Sequence, residues 1–296
     1  TFNIPGAGPQ TIIPPTVFPD ITASDLFIDG ETQTGGLGNI VISFNSRDFG
    51  TNDFLRVLAP RTHINGIMFK DMRYVNNINA IVRVGTATQN ADNSKITNCS
   101  FHTDNLDFTN LTPSSVIVAN SNNFVFSKNI IGGDYAKNAI FLTHAGVYFN
   151  SATANQKVGA LIDSSYFMST LVGLNMNATD GIISNNLFGS FDTTGLNGFV
   201  TQESGIVSDV SNLQIRKNYF ISHAAESCIL ETTSTATSCV ISNNRFINST
   251  SVAIYSKPDN INLQVTNNYG RNLNYFLNYA GNNLSLIHIS EPTRPY

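Results

Sequence analysis

Asp104, Asp107, Asp134, Lys137, Asp192, His223 and Glu226 are the side chains of this 296-residue chain whose types and positions could do chemistry together. Two carboxylates at a suitable separation cleave a glycosidic bond, one as acid and the other as base or nucleophile. Several acids brought close together can also hold a calcium ion. A histidine adds a proton carrier near neutral pH, and His102 stands just ahead of Asp104. These groups are scattered along the sequence, so they meet only if the fold brings distant loops out on one side. Acids in turns are more often merely solvated, and the groove they imply needs independent support from the elements that would carry it.

A short repeat supplies such elements. An aliphatic residue, a polar one, a small polar residue, Asn, any residue and then an aromatic recur as Ile96-Thr97-Asn98-Cys99-Ser100-Phe101 and Phe126-Ser127-Lys128-Asn129-Ile130-Ile131. The pattern returns at Ile162 to Phe167, Ile183 to Phe188, Ile215 to Phe220, Ile241 to Phe246 and Val265 to Gly270. Successive copies start roughly 21 to 36 residues apart, near the repeat lengths of solenoids. A small residue followed by an aliphatic one precedes most copies, at Ala80-Ile81, Ala139-Ile140, Gly173-Leu174, Gly205-Ile206, Cys228-Ile229 and Ala253-Ile254. Apolar residues alternate, and helical spacing is absent, so each repeat reads as at least two short strands. The predicted fold is all-β, a single-stranded right-handed parallel β-helix. Leucine-rich repeats also place Asn at a turn, but their Leu-rich consensus and helical half are not visible.

Stacked parallel strands lie ~4.8 Å apart, so equivalent residues form ladders. Asn129, Asn186, Asn218, Asn244 and Asn268 are expected to form an amide ladder, with Cys99 and Ser165 as substitutes. Asn at a sharp bend tolerates left-handed backbone, and its amide both donates and accepts. Two residues later, Phe101, Phe167, Phe188, Phe220 and Phe246 are expected to point inward as an aromatic stack. The loops that leave those Phe positions carry the acids, Lys137 and His223 named above. Tyr135, Tyr148, Tyr255, Tyr275 and Tyr279 are aromatics that could stack on sugar rings.

Composition narrows the partners. The chain has 41% hydrophobic residues, enough for a sizeable core, and only 12% charged ones, with a net charge of -4. No basic field favours nucleic acid, and no apolar run approaches the ~20 residues of a bilayer span. Asn is over-used, at 39 residues. Cys99, Cys228 and Cys239 match neither a disulfide framework nor metal-ligand spacing, and are expected to be buried small residues. No cofactor and no metal is indicated.

Both ends depart from the pattern. Thr1-Phe2-Asn3-Ile4-Pro5-Gly6 reads as the middle of a domain, with any signal peptide outside this stretch. Leu284 to Arg294 reads as translated sequencing-library adapter, which implies a metagenomic fragment and leaves 284–296 as a non-native tail. The expected organisation is a β-helix over 1–283, with N-terminal coils to residue 60 and regular rungs over 61–283.

The motif and its spacing resemble right-handed parallel β-helix repeat proteins of the pectin-lyase-like superfamily over roughly residues 1–283. Ile4-Pro5-Gly6-Ala7-Gly8, Gln10-Thr11-Ile12, Pro19-Asp20-Ile21-Thr22 and Ile28 to Gly35 resemble the opening coils of large secreted bacterial surface proteins. That resemblance implies export, a secreted or cell-surface location, and a structural or adhesive role with a polysaccharide or cell-surface glycan as partner. The superfamily also holds polysaccharide lyases, hydrolases and phage tailspikes, so fold alone does not settle function. Polygalacturonase-like enzymes carry Asn-Thr-Asp, Asp-Asp, Gly-His-Gly and Arg-Ile-Lys elements, and none occurs here. Thr103-Asp104-Asn105 and His144-Ala145-Gly146 are loose echoes. Pectate-lyase-like enzymes imply calcium, and no compact acidic cluster announces it. An enzyme of this pattern would be a polysaccharide lyase or glycoside hydrolase working in a lateral groove. The strand edges at solenoid ends also invite self-association.

Overall fold

The computed structural model describes residues 4–6, 8–44, 52–71, 80–102, 114–133, 143–150, 157–168, 170–189, 204–208, 211–221, 228–230, 238–256, 261–279 and 283–290. Within them the chain coils through three stacks of short parallel strands. The first stack runs through His63–Asn65, Lys95–Thr97, Val125–Ser127, Leu161–Asp163, Ile182–Ser184, Leu213–Arg216 and Cys239–Ser242. A sharp bend leads to the second stack, with Ile67–Lys70, Ser100–His102, Ile130–Ile131, Tyr166–Phe167, Leu187–Gly189, Tyr219–Ile221 and Arg245–Ile247. In the last full coil one strand, Ile261–Arg271, serves both stacks. The third stack is a separate sheet from Leu55–Val57 and Ala80–Val84 to Val252–Ser256 and Tyr275–Tyr279.

Register turns the repeat into ladders. Ile64, Ile96, Phe126, Ile162, Ile183, Ile215, Ile241 and Val265 align through the first stack, all buried. Phe69, Phe101, Ile131, Phe167, Phe188, Phe220 and Phe246 align through the second. The rings of Phe167, Phe188, Phe220 and Phe246 follow one another at 4.7, 5.0 and 4.8 Å, which is the strand spacing itself. Gly270 takes the ring position in the last coil, and a Cβ there would meet Phe276 at 2.8 Å. Phe276, from the third stack, supplies the aromatic instead and contacts Phe246 edge-on at 5.8 Å. Each buried Phe contributes ~1.5–3 kcal/mol by removing its ring from water.

The bend between the first and second stacks is held by the amide ladder. The Asn218 Oδ1 accepts from the backbone N–H of Asn186 at 2.9 Å and from the Asn186 Nδ2 at 3.0 Å. The Asn218 Nδ2 donates to the Ile183 carbonyl at 2.9 Å and to the Asn244 Oδ1 at 3.0 Å. Asn244 and Asn268 repeat the arrangement. Asn129 accepts from the Cys99 N–H, and the Ser165 hydroxyl accepts from the Asn129 N–H. Cys99 and Ser165 thus occupy ladder positions. One expectation needs correction: the ladder Asn residues are not the left-handed ones. The positive φ falls one residue earlier, at Asn98, Lys128, Ser164, Asn185, Lys217, Asn243 and Asn267. The ladder residue must turn its amide inward, and the solvated residue before it takes the backbone strain.

A second left-handed column precedes the first stack at Asp25, Arg61, Asn93, Asn123, Gly159, Asp180 and Asn212. Each stands three residues ahead of the inward first-stack residue, Ile in six coils and Phe126 in the other. The third stack also corrects the register of the small-aliphatic pairs. Val82, not Ile81, aligns with Val116, and Cys228, not Ile229, aligns with Ile206 and Ile254. Val147 fills the position assigned to Ile140, which lies outside the described residues. At the C-terminal end Asn283–Ser290 forms a strand stacked on Ile261–Arg271, with Leu284 opposite Leu263 and Leu286 opposite Val265. Its alternating apolar residues suffice for that pairing.

Candidate functional site

Asp104, Asp107, Asp134, Lys137, Asp192, His223 and Glu226 all lie outside the described residues. Among the described residues, charged groups do meet where a second-stack strand ends at Lys70. Asp71 accepts from the Ser43 hydroxyl at 2.9 Å, and the Lys70 ammonium lies 3.5 Å from the same carboxylate oxygen. His102, expected among the loop groups, instead ends a strand in register with Lys70 and is only 4% exposed. Along the chain the stretches that carry those loop groups precede third-stack strands, whose outward face is described. His144 sits within the third-stack strand Thr143–Phe149.

That outward face is a single column of register partners. Arg56, Arg83, Ile117, Tyr148, Asn175 and Val207 align in succession, and Tyr255 and Asn278 continue the column. Ile117 is buried, while Arg56 and Asn278 are exposed and the rest are half-buried. Tyr148 and Tyr255 are four coils apart, about 19 Å at ~4.8 Å per coil. The strands fix all these side chains outward because their neighbours in sequence, such as Val147 and Ile254, are core residues.

At the N-terminal end of the column a cleft of about 550 Å³ opens between Thr16–Asp20 and Asn52–Arg56. It contains two carboxylates, and both are occupied. Arg56 donates to both oxygens of Asp20 at 2.7 Å, and Asp53 accepts from Arg83 and from the Ala80 N–H at 3.0 Å. Neither carboxylate is presented to a ligand as a free acid or base. These pairs join residues 36 and 30 apart in sequence, and only the coil spacing could have found them.

His63 is the centre of another arrangement the sequence reading missed. Its Nε2 lies 2.7 Å from the Thr97 hydroxyl, which donates to the Asn65 Oδ1 at 2.8 Å. Asn65 in turn donates to Asp29 at 2.8 Å. A carboxylate only accepts, so Asp29 fixes the Asn65 amide, which fixes the Thr97 proton and leaves the His63 Nε2 as donor. Burial and the Lys95 ammonium hold the His63 imidazole below its ordinary range, against the opposing pull of Asp29 and Glu31. Phe27 stacks on the ring at 4.6 Å. Burial opposes ionisation of Asp163, yet hydrogen bonds from Ser184, Asn185 and Ser164 and the Lys128 charge leave its carboxyl below the usual range. Among the described residues no group of three His, Cys, Asp or Glu side chains could hold a metal ion, and no helix is long and apolar enough to cross a membrane.

No protein-family model matches the sequence, and no curated protein does. Solved structures do resemble it. An alginate lyase from a Paenibacillus species shares 10% identity over 92% of this chain and 89% of its own, with a TM-score of 0.54. The A-module of a mannuronan C-5 epimerase from Azotobacter vinelandii shares 12% identity over 93% of this chain and 88% of its own, with a TM-score of 0.50. A surface adhesin of Streptococcus pneumoniae shares 12% identity over 91% of this chain and 73% of its own, also with a TM-score of 0.50. The fold is a right-handed parallel β-helix. In a β-helix of this kind side-chain columns run along the axis, so a long ligand laid lengthwise meets one residue per coil.

Proposed function

We propose that this β-helix is a carbohydrate-binding module of a secreted or cell-surface protein, with an adhesive rather than hydrolytic role. The carrying observation is the third-stack column, in which Arg56, Arg83, Tyr148, Asn175, Tyr255 and Asn278 face outward on one rigid line. Tyrosine rings offer flat apolar faces with a polar edge, which suits sugar rings. The guanidinium and amide groups supply donors, and the described carboxylates on that face are tied to arginines. An alginate lyase and a mannuronan epimerase of the same fold support a glycan ligand, and a surface adhesin of that fold supports the adhesive role. Affinity electrophoresis against neutral and acidic polysaccharides tests the reading. Retention by at least one polymer, lost in a Tyr148→Ala/Tyr255→Ala variant, is expected. Reducing-end or unsaturated products appearing during the same incubation would replace adhesion with catalysis.

A further inference from the structure

Arginine is used differently in the two halves of the solenoid. Arg56, Arg61 and Arg83 are each joined to a carboxylate, at Asp20, Asp25 and Asp53. Arg216, Arg245 and Arg271 have no carboxylate partner among the described residues, and neither does Lys217. All four side chains are exposed. They fall on the coils around the amide bend. Arg216 ends its first-stack strand, Lys217 is the left-handed bend residue, and Arg245 and Arg271 lie in the second-stack strands that follow.

Aromatic residues interleave with these charges. The outward column of the second stack reads Tyr166, Leu187, Tyr219, Arg245 and Tyr269. Tyrosine thus recurs on alternate coils, about 10 Å apart at ~4.8 Å per coil. The three tyrosines are half-buried, with ring area left for contact. Arg245 lies over the Tyr219 ring, 5.2 Å from its centre, a geometry that holds a guanidinium without neutralising it. Lys128 stands on the coil before Tyr166, so the strip spans five coil intervals, about 24 Å. Its described acid is Asp163, whose carboxylate is already engaged by Ser164, Ser184 and Asn185.

We propose that this bend face is a second binding site, separate from the third-stack column, for an acidic polysaccharide laid along the solenoid axis. Exposed cations on a net acidic chain select a negative polymer, and tyrosines at regular intervals give its sugar rings stacking surfaces. A rigid strip of this length pre-orders one face of an extended chain, which lowers the ordering cost of binding. The site does not require the third-stack column to bind anything.

Affinity electrophoresis in gels containing polygalacturonate, with dextran as the neutral control, tests it. The protein is expected to be retarded by polygalacturonate more than by dextran, and less so as salt is raised. An Arg216→Gln/Lys217→Gln/Arg245→Gln variant should lose about tenfold in apparent affinity, the sum of three exposed ion pairs. Tyr219→Ala, which keeps every formal charge, should weaken binding as well. Introduced into the Tyr148→Ala/Tyr255→Ala background, the same triple substitution should still cost about tenfold, so the two faces are read separately. Equal retardation by both polymers would overturn the proposal. So would undiminished binding by the triple variant with an unaltered circular dichroism melt, or loss confined to the Tyr148/Tyr255 variant.

Discussion

Phe126 and Ile131 stand in each other's places. In the coils of Ile64/Phe69, Ile96/Phe101, Ile162/Phe167, Ile183/Phe188, Ile215/Phe220 and Ile241/Phe246, the first stack contributes the aliphatic and the second the ring. One coil reverses the order, and its core volume is conserved. The Phe126 ring enters from the other stack, 6.4 Å from Phe101 and 6.0 Å from Phe167, and keeps the aromatic column continuous. Interiors tolerate redistribution of side-chain volume better than its loss.

Restoring the common order tests this exchange. Phe126→Ile alone should leave a cavity and Ile131→Phe alone should overpack, each costing ~1–3 kcal/mol. The double variant should recover most of both losses. Urea denaturation of the four proteins gives the coupling, and simple additivity would show that the two positions do not share a cavity.

The amide ladder predicts a graded response at Asn218. Asn218→Ala removes the acceptor of the Asn186 N–H and a donor to the Ile183 carbonyl, both buried. The cost should be ~2–4 kcal/mol, since orphaned buried groups carry their full desolvation penalty. Asn218→Ser should cost less, because Ser165 already serves one ladder position through its hydroxyl. Equal losses in denaturant midpoint would contradict that account.

Phe188→Ala should cost ~3–5 kcal/mol, because its ring is fully buried between Phe167 and Phe220. Thermal or urea melts measure it, and a loss below 1 kcal/mol would mean the stack collapses to refill the space.

His63 predicts a pH effect of definite sign. Its folded pKa lies below the ordinary 6.5 because burial and Lys95 disfavour the imidazolium. The unfolded chain therefore takes up the proton at higher pH than the folded one. The stabilisation is complete above about 6.5 and is lost as pH falls through the depressed folded value. His63→Gln keeps a donor for Thr97 without the titration. Melting temperatures compared at pH 7.5 and 5.5 should fall further for the parent than for the variant.

Cys99 and Cys239 should be inert in the folded protein. Both are buried, and burial pushes each thiol up to about 12, so the thiolate is scarce near neutral pH. Maleimide labelling at pH 7.5 followed by peptide mass mapping should modify neither residue until denaturant is added. Rapid labelling of Cys99 in buffer would mean that the bend opens.

The sequence by itself determined the coil. The repeat from Ile96 to Gly270 couples an aliphatic, an Asn and an aromatic at fixed offsets, and only stacking in register gives all three positions one environment in every copy. The amide ladder and aromatic column follow because they are local to a six-residue pattern, one copy per coil. The third stack was legible only approximately, as the one-residue shifts at Val82 and Cys228 show, because its strands lack a polar residue that pins the register. What tertiary structure decided lies between coils. Asp20 and Arg56 are 36 residues apart, and spacers of unequal length hide which side chains become neighbours. The relay from Asp29 to His63, the outward line from Arg56 to Asn278 and the placing of Arg245 over Tyr219 all arise from that alignment. A strand pattern says which way a side chain faces, but only the coil-to-coil register says what stands beside it.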